Sequence, residues 1–197
     1  MSRLIALILC ALIPAAVHAA ATAESYQWAA PVKADANLYR IDDKLYRSEQ
    51  LTRADAPQLA DLGVKSVVNL RYFDRNDNDT ALAGHGLALL NKPLLTWRVT
   101  PRQIAETLYL IEQRQAHGAV LIHCYHGADR TGLISAMYRI VYQNWPIEEA
   151  KREMQQGPYG YHSIWRNLAK LFTEDKVRQV KAELAKLKAQ AQYSETK

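Results

Sequence analysis

One cysteine and one arginine of this 197-residue chain have the types and the spacing that could do chemistry. A cysteine thiolate is a nucleophile, and a guanidinium can grip two oxygens of a phosphate dianion. Cys124 and Arg130 bound a short loop within the stretch His123-Cys124-Tyr125-His126-Gly127-Ala128-Asp129-Arg130-Thr131-Gly132. The spacing alone arises often by chance, so the prediction depends on what surrounds the loop.

Apolar segments on both sides predict a strand before the loop and a helix after it. Ala119–His123 is a continuous apolar run, as expected of a central buried strand, and apolar residues recur at helical spacing from about Arg130 onward. Backbone N–H groups of such a loop converge on one point, where the helix N-terminus adds positive charge. Gly127 permits a backbone conformation that a side chain would obstruct. The predicted phosphate-binding residues are Tyr125, His126, Gly127, Ala128, Asp129 and Arg130.

Cys124 stands at the first position of this loop, beneath the point where the donors converge. The donors, the helix dipole and Arg130 all favour its thiolate, so the field that binds phosphate would also activate the nucleophile. Thr131 is placed to donate a hydroxyl hydrogen bond to the sulfur and to help it leave from a phosphocysteine intermediate. His123 is expected to orient the loop through ring hydrogen bonds. The alternative for Cys124 is a small buried residue at a strand end.

The loop resembles the signature of the protein tyrosine and dual-specificity phosphatase superfamily, and the chain is similar to small bacterial dual-specificity-like phosphatases exported to the periplasm. The likeness covers roughly residues 38–172. It includes Tyr46-Arg47-Ser48, Val67-Val68-Asn69-Leu70-Arg71 and the region from Gly157 to Asn167.

That resemblance implies a single phosphatase domain, a two-step phosphocysteine mechanism, and neither a metal nor another cofactor. By position, Cys124 is then the nucleophile, Arg130 the phosphate clamp and Thr131 the hydroxyl helper. The substrate would be a phosphorylated protein or a small phosphomonoester.

The chain departs from the family pattern where a general acid for the leaving oxygen is usually found. Residues 91–100 carry no carboxylate, and losing general acid catalysis typically costs about 10²–10⁴ in rate. Three interpretations stay open. In the first, Asp129 donates the proton, although it could instead brace Arg130 or cap the helix. In the second, an acid swings in from the polar loop that contains Asp74, Asp77 and Asp79. In the third, the enzyme is slow and prefers aryl phosphates.

The elements that must position the loop alternate along the chain, which predicts an α/β fold. We expect one domain with a central, mostly parallel sheet flanked by helices, and the Cys-x5-Arg loop between a central strand and a helix. Predicted strands are residues 44–48, 64–70, 86–95 and 119–123. Predicted helices are residues 53–62, 101–117, 130–141, 146–154 and 164–172. Residues 71–79 are polar and predict a loop.

Both ends of the chain lie outside the expected domain of residues 38–172. Residues 1–19 have the order of a secretory signal peptide, with Arg3 before an apolar run and Val17-His18-Ala19 at the cleavage site. An uncleaved anchor is the alternative. Residues 174–197 predict a basic helical tail, which either docks on the domain or makes weak contact with a membrane surface.

Cysteine usage and charge narrow the function classes. Cleavage after Ala19 would remove Cys10 and leave Cys124 as the sole cysteine, and we expect an exported, periplasmic protein. The net charge of +5 suits anionic partners without identifying one. Nucleic acid is not expected, and the sequence says nothing about oligomeric state.

The favoured function is a phosphomonoester hydrolase that acts through phosphocysteine, a protein tyrosine or dual-specificity phosphatase of the cell envelope. The alternative is a pseudophosphatase that binds phosphate or phosphopeptide but lacks an efficient general acid. Rhodanese-like sulfur transfer is disfavoured by the inner glycine and the Thr-Gly after Arg130. Two groups of residues have a functional and a simpler interpretation. A family segment near the active site is the functional interpretation, and aromatic packing the simpler one, of Tyr159, Tyr161, His162 and Trp165. An electropositive rim is the functional interpretation, and solvated surface charge the simpler one, of Arg71, Arg98 and Arg102.

Overall fold

A six-stranded sheet forms the centre of the molecule in the computed structural model, which describes residues 26–195. The predicted signal peptide lies outside the described residues. The strands are β1 (Ala30–Lys33), β2 (Leu38–Asp42), β3 (Leu45–Ser48), β4 (Val64–Asn69), β5 (Ala88–Asn91) and β6 (Ala119–His123). Their spatial order is β1-β2-β3-β6-β4-β5. The pairs β3·β6, β6·β4 and β4·β5 are parallel, and β1·β2 and β2·β3 are antiparallel.

Seven α-helices within the described residues connect and cover these strands. They are α1 (Ala56–Asp61), α2 (Asp77–Leu82), α3 (Pro101–Gln115), α4 (Asp129–Tyr142), α5 (Ile147–Gln156), α6 (Arg166–Ala169) and α7 (Glu174–Glu195). Because successive side chains of a strand point to opposite faces, each central strand feeds two cores. Val68 and Ile122 pack in the core that contains Leu133 of α4, whereas Val67 packs with Leu59 of α1 on the other face.

The parallel register brings three strand ends to one level. Ser48 of β3 and Asn69 of β4 both pair with His123, the last residue of β6. The segments that follow these strands therefore meet at one edge of the sheet, where parallel α/β sheets place their binding sites. The expected α/β domain with a mostly parallel sheet is confirmed, and β6 is the central strand before the loop.

Several element predictions needed correction. Strands β1 and β2 were not predicted, since both are short, carry charged residues and pair only at the antiparallel side of the sheet. Helix α2 begins inside the polar stretch that predicted a loop, with Asp77 and Asp79 in its first turn, where acidic side chains favour a helix. The helix predicted over residues 164–172 is limited to Arg166–Ala169.

The helical tail packs on the domain. Val177, Val180 and Leu184 of α7 are buried in the same core as α3, and Lys188 donates a 2.6 Å hydrogen bond to Glu112 of α3. Among residues 26–195, no helix is both long and apolar enough to cross a membrane. The apolar stripe of the tail is thus used in packing against this chain.

Candidate active site

Cys124 lies directly after β6 and is almost fully buried, with 2% of its surface exposed. It forms no disulfide. The loop from Tyr125 to Ala128 follows, and α4 begins at Asp129. The predicted strand–loop–helix arrangement is therefore present at the carboxyl edge of the sheet. Within the described residues, no group of three or more His, Cys, Asp or Glu side chains is placed to hold a metal ion.

The carbonyl groups of the loop are all held by partners outside it. The carbonyl of Tyr125 accepts a 2.9 Å bond from the Gln50 amide, and that of His126 a 2.8 Å bond from Asn37 Nδ2. The carbonyl of Gly127 accepts a 2.7 Å bond from Arg47 Nη2. No peptide bond of the described chain is cis, so each N–H points opposite to the preceding carbonyl. The amides that follow these carbonyls consequently face into the loop, as in an anion-binding nest.

Gly127 is required at its position for two reasons. Its φ of +70° lies in the left-handed region, which side chains rarely adopt. A Cβ built there would also stand 2.6 Å from the backbone of Ser48 and Glu49, just after β3. The loop therefore approaches the end of β3 more closely than any other residue type would allow.

His123 is fully buried beneath the loop and is neutral. Its Nδ1 lies 3.0 Å from the Cys124 carbonyl, which can only accept, so Nδ1 carries the ring proton. Burial lowers the pKa of His123 to about 4, and the positive charges of Arg71 and Arg130 add to the effect. A neutral ring fixes the carbonyl of Cys124, and the Tyr125 amide is thereby turned into the loop.

Arg130 and Thr131 lie in the first turn of α4 and present polar atoms at its N-terminus. Arg130 Nε and Thr131 Oγ1 are buried, and neither has a hydrogen-bond partner within residues 26–195. The bond predicted from the Thr131 hydroxyl to the sulfur is therefore not formed in this structure. Arg130 also lines a cavity of about 220 Å³. The cavity's other lining residues are Tyr72, Phe73, Leu94, Leu95, Thr96, Trp97 and Trp165.

The segment that lacks a carboxylate forms one wall of that cavity. Leu94, Leu95, Thr96 and Trp97 follow β5, and the carbonyl of Thr96 accepts a 2.7 Å bond from Asn167 Nδ2. Trp97 is 57% exposed. An indole ring and leucine side chains thus stand beside the arginine.

Arg47 supports the loop from below, a role that sequence reasoning missed. It is 1% exposed, and its guanidinium carbon lies 3.7 Å from the centre of the Tyr159 ring. The Tyr159 hydroxyl donates a 3.1 Å bond to Glu153, which also pairs with Arg139. Burial lowers the pKa of Arg47, and the nearby acidic groups oppose that shift. The motif Tyr46-Arg47-Ser48 carried the only sequence signal for this contact.

Arg71 corrects another prediction, because it is buried rather than a solvated surface charge. It is 6% exposed, donates a 2.7 Å bond to Asp74 and pairs also with Asp77. Its guanidinium carbon lies 5.0 Å from the centre of the Tyr125 ring, which is a loop side chain. Two of the three acids on the polar stretch are therefore engaged with Arg71.

Asp129 is held by His162, which lies between α5 and α6. The His162 backbone N–H donates a 2.9 Å bond to Asp129 Oδ1, and its ring Nδ1 lies 2.9 Å from Oδ2. The N-cap residue of α4 is Ala128, which makes no side-chain cap bond, and Asp129 is the first residue of the helix. The side chain of Asp129 is 11% exposed, whereas that of His162 is 47% exposed. His162 is thus an active-site candidate whose importance the aromatic-packing interpretation missed.

The fold and the site together place this chain in one structural class. Its members are α/β proteins with a Cys-x5-Arg anion-binding loop between a central parallel strand and a helix. Residues 43–144, just over half of the chain, match the family model described as "Tc-R-P: Polymorphic toxin system, DSP-PTPase phosphatase". Over 146 residues the chain is 38% identical to the dual specificity protein phosphatase TpbA of two Pseudomonas aeruginosa strains. That match covers 73% of this chain and 66%, just under two thirds, of these relatives' length.

Solved structures agree with the sequence match. The crystal structure of P. aeruginosa TpbA superposes with a TM-score of 0.74 at 33% identity, covering 82% of this chain and 98% of that chain. A cysteine-to-serine variant of TpbA in complex with phosphotyrosine matches with the same TM-score and coverage at 32% identity. PTPMT1, at 18% identity and a TM-score of 0.59 over 74% of this chain and 97% of that chain, shares the fold. The chain belongs to the DSP-PTPase family of phosphatases, which confirms the resemblance to the dual-specificity phosphatase signature.

Proposed function

We propose that this protein is a phosphomonoester hydrolase that acts through a phosphocysteine intermediate. The observation that carries the proposal is the loop itself, whose carbonyls are tied outward above a buried Cys124 while Arg130 borders an open cavity. Such a loop stabilises a bound phosphate and a cysteine thiolate through the same donors. Family membership supports the same conclusion.

The loop amides and the residues that flank the loop have separate roles in this proposal. The inward amides and Arg130 hold the phosphoryl oxygens while Cys124 Sγ attacks phosphorus and the bond to the leaving oxygen breaks. Water then attacks phosphorus, the S–P bond breaks, and the Thr131 hydroxyl stabilises the departing thiolate. The carboxylate of Asp129, next to Arg130 in sequence, contacts His162 beside the loop.

Aryl phosphates, and phosphotyrosine in particular, are the substrate class that we propose. The Arg130 cavity is lined by four aromatic side chains, Tyr72, Phe73, Trp97 and Trp165, and Phe73 is 63% exposed. Rings of this kind pack favourably against a phenyl leaving group. The P. aeruginosa relative TpbA has been crystallised with phosphotyrosine, which supports the assignment.

Hydrolysis of p-nitrophenyl phosphate tests the proposed function. We expect turnover in the wild type, none in Cys124→Ser, and a loss of about 10³-fold in Arg130→Ala. Arg102→Ala is the matched control, since Arg102 is largely exposed and pairs only with Glu106 among the described residues, and it should retain activity within about twofold.

Single-turnover kinetics separate an enzyme from a phosphate-binding pseudophosphatase. An enzyme gives a burst of p-nitrophenol and a trapped phosphocysteine on acid quench, whereas the pseudophosphatase binds phosphate without either signal. Turnover that survives Cys124→Ser would exclude the proposed mechanism.

Export to the periplasm is a further part of the proposal. It is supported by the composition of residues 1–19, with Arg3, the apolar run and the small residues at Val17 and Ala19. Mass spectrometry of the protein from a periplasmic fraction should find Ala20 as the first residue. Recovery of the intact chain from the cytosolic fraction alone would contradict this location.

A further inference from the structure

We propose that His162, oriented by Asp129, donates the proton to the leaving oxygen in the first step and accepts a proton from water in the second. The inference rests on the proposed phosphatase function. It assigns the proton to the imidazole and makes Asp129 the positioning residue.

The bonding pattern of Asp129 is that of an acceptor. Both oxygens contact the same residue: Oδ1 accepts a hydrogen bond from the His162 backbone N–H, and Oδ2 lies 2.9 Å from ring Nδ1. A general acid must instead present its own proton to the substrate. An ionised carboxylate can only accept, so Nδ1 of His162 is the protonated nitrogen. Nε2 is then the ring atom that gives up and takes back a proton, as when a carboxylate fixes the tautomer of a catalytic imidazole.

Burial and position favour the same division of roles. The Asp129 side chain is 11% exposed and lies next to Arg130 in sequence, whereas the His162 side chain is 47% exposed. The His162 ring lies 5.3 Å, centre to centre, from the ring of His126, which is a loop residue. The imidazole is thus at the rim of the loop, where a leaving group would face solvent.

Other acids near the loop are occupied or differently placed. Asp74 and Asp77 pair with Arg71, and residues 91–100 supply Trp97 and leucine side chains to the Arg130 cavity. Glu49 remains as a competitor, since burial raises its pKa and His126 opposes that shift. Tyr161 also faces the pair: burial raises its pKa, and the charge of Asp129 adds to the effect. The Tyr161 hydroxyl donates to the Trp165 carbonyl at 3.0 Å.

The proton balance closes over the two steps. Cys124 Sγ attacks phosphorus, the P–O bond to the leaving group breaks, and the proton on His162 Nε2 moves to that oxygen. Water then attacks phosphorus, the S–P bond breaks, and a water proton returns to Nε2. The products are the alcohol or phenol and inorganic phosphate, and Cys124 is again a thiolate.

The test compares two leaving groups in His162→Asn. Asparagine retains an N–H at the place of Nδ1 for the bond to Asp129 but has nothing at the place of Nε2. The phenol of phosphotyrosine has a pKa of about 10 and needs a proton donor, whereas p-nitrophenolate leaves readily without one. We expect kcat/KM for phosphotyrosine to fall by about 10²-fold or more and that for p-nitrophenyl phosphate by less than about 10-fold.

Two further variants make the outcome decisive. Asp129→Asn should show the same selective loss on phosphotyrosine, because an amide imposes the wrong ring tautomer. Glu49→Gln should leave the ratio between the two substrates unchanged. The assignment to His162 is wrong if His162→Asn lowers kcat/KM for both substrates by the same factor. It is also wrong if Glu49→Gln lowers kcat/KM for phosphotyrosine selectively. Failure of the phosphatase function itself would be distinct, since the wild type would then turn over neither substrate.

Discussion

At the scale of single residues, Gly127 shows how backbone conformation and close approach act together on the loop. Its φ of +70° is unfavourable for any residue with a side chain, and the backbone of Ser48 and Glu49 leaves no space for a Cβ. These two effects can be separated in this chain, because Gly84 has a similar φ of +82° with nothing within 4 Å of its virtual Cβ.

Gly127→Ala should therefore be more destabilising than Gly84→Ala. The left-handed conformation alone costs about 1–2 kcal/mol, the expected effect at Gly84. Overpacking against the end of β3 adds about 1–3 kcal/mol at Gly127. Urea unfolding of both variants measures the difference in the free energy of unfolding. Equal costs would mean that the loop moves away from β3 without penalty.

His123 makes the stability of the fold depend on pH. Its pKa is about 4 in the folded protein and about 6.5 when unfolded, so below pH 6.5 the unfolded chain binds a proton that the folded chain does not. Stability from this group is thus present above pH 6.5 and is lost as the pH falls toward 4. The loss is about 3 kcal/mol.

His123→Asn should remove that dependence while retaining a donor for the Cys124 carbonyl. We expect the free energy of unfolding of the wild type to fall more steeply than that of the variant between pH 6.5 and 4. Urea titrations at several pH values measure both slopes. Parallel slopes would show that His123 is not held neutral in the folded protein.

The residues of the loop were predictable because their signal is local in sequence. Cys124, Gly127 and Arg130 lie within seven positions, between an apolar strand and an apolar helix. Arg47 and His162 were not predictable in the same way, since each reaches the loop through tertiary packing from a distant segment. No periodicity or spacing in the sequence reports such a contact.

At the scale of elements, the ion pair between Arg139 and Glu153 joins α4 to α5. It is linked through Tyr159 to Arg47, which supports the loop. Both side chains are buried, with Nε and Nη2 of Arg139 donating bonds of 2.9 and 3.0 Å to the carboxylate. Glu153 also accepts a 2.7 Å bond from the Ala29 amide and a 3.1 Å bond from Tyr159. One carboxylate thus connects two helices, the start of β1 and the ring beneath Arg47.

Glu153→Ala should destabilise the fold by about 3–5 kcal/mol, because it leaves Arg139 buried without its partner. Glu149→Ala is the control on the same helix, where the pair with Arg152 is partly exposed and its loss should cost less than about 1 kcal/mol. Thermal and urea unfolding measure both. A cost below 1 kcal/mol for Glu153→Ala would show that solvent or another group compensates Arg139.

Elements with strong local signals were predicted well, and those that depend on pairing were not. Helix α3 begins at Pro101, and the hydroxyl of its N-cap residue, Thr100, accepts a hydrogen bond from the Gln103 backbone N–H. Strand β6 matches the predicted residues 119–123. Strands β1 and β2 carry Lys33, Arg40 and Asp42, and they form because β3 offers an edge on which to pair. A single sequence does not disclose that edge.

At the scale of the whole molecule, the two faces of the sheet form the cores that stabilise the fold, and the candidate active site lies at the edge where the parallel strands end. One core lies under α1 and α2, and the larger core lies under α3, α4 and α7. The edge where β3, β4 and β6 end borders the larger core, which includes Leu70 and Cys124, and the loop, His123 and the Arg71 cluster meet there. Distant parts of the chain must therefore fold together before the loop acquires its shape.

The hydrogen bonds that hold the loop carbonyls outward have one consequence for the free energy of unfolding. Only the folded chain gathers those amides, so an inorganic oxyanion such as tungstate or phosphate binds the native state alone. By mass action, occupancy at 100 times the dissociation constant raises the unfolding free energy by about 2.7 kcal/mol. The melting temperature of the protein is consequently a gauge of how full its loop is, with or without turnover.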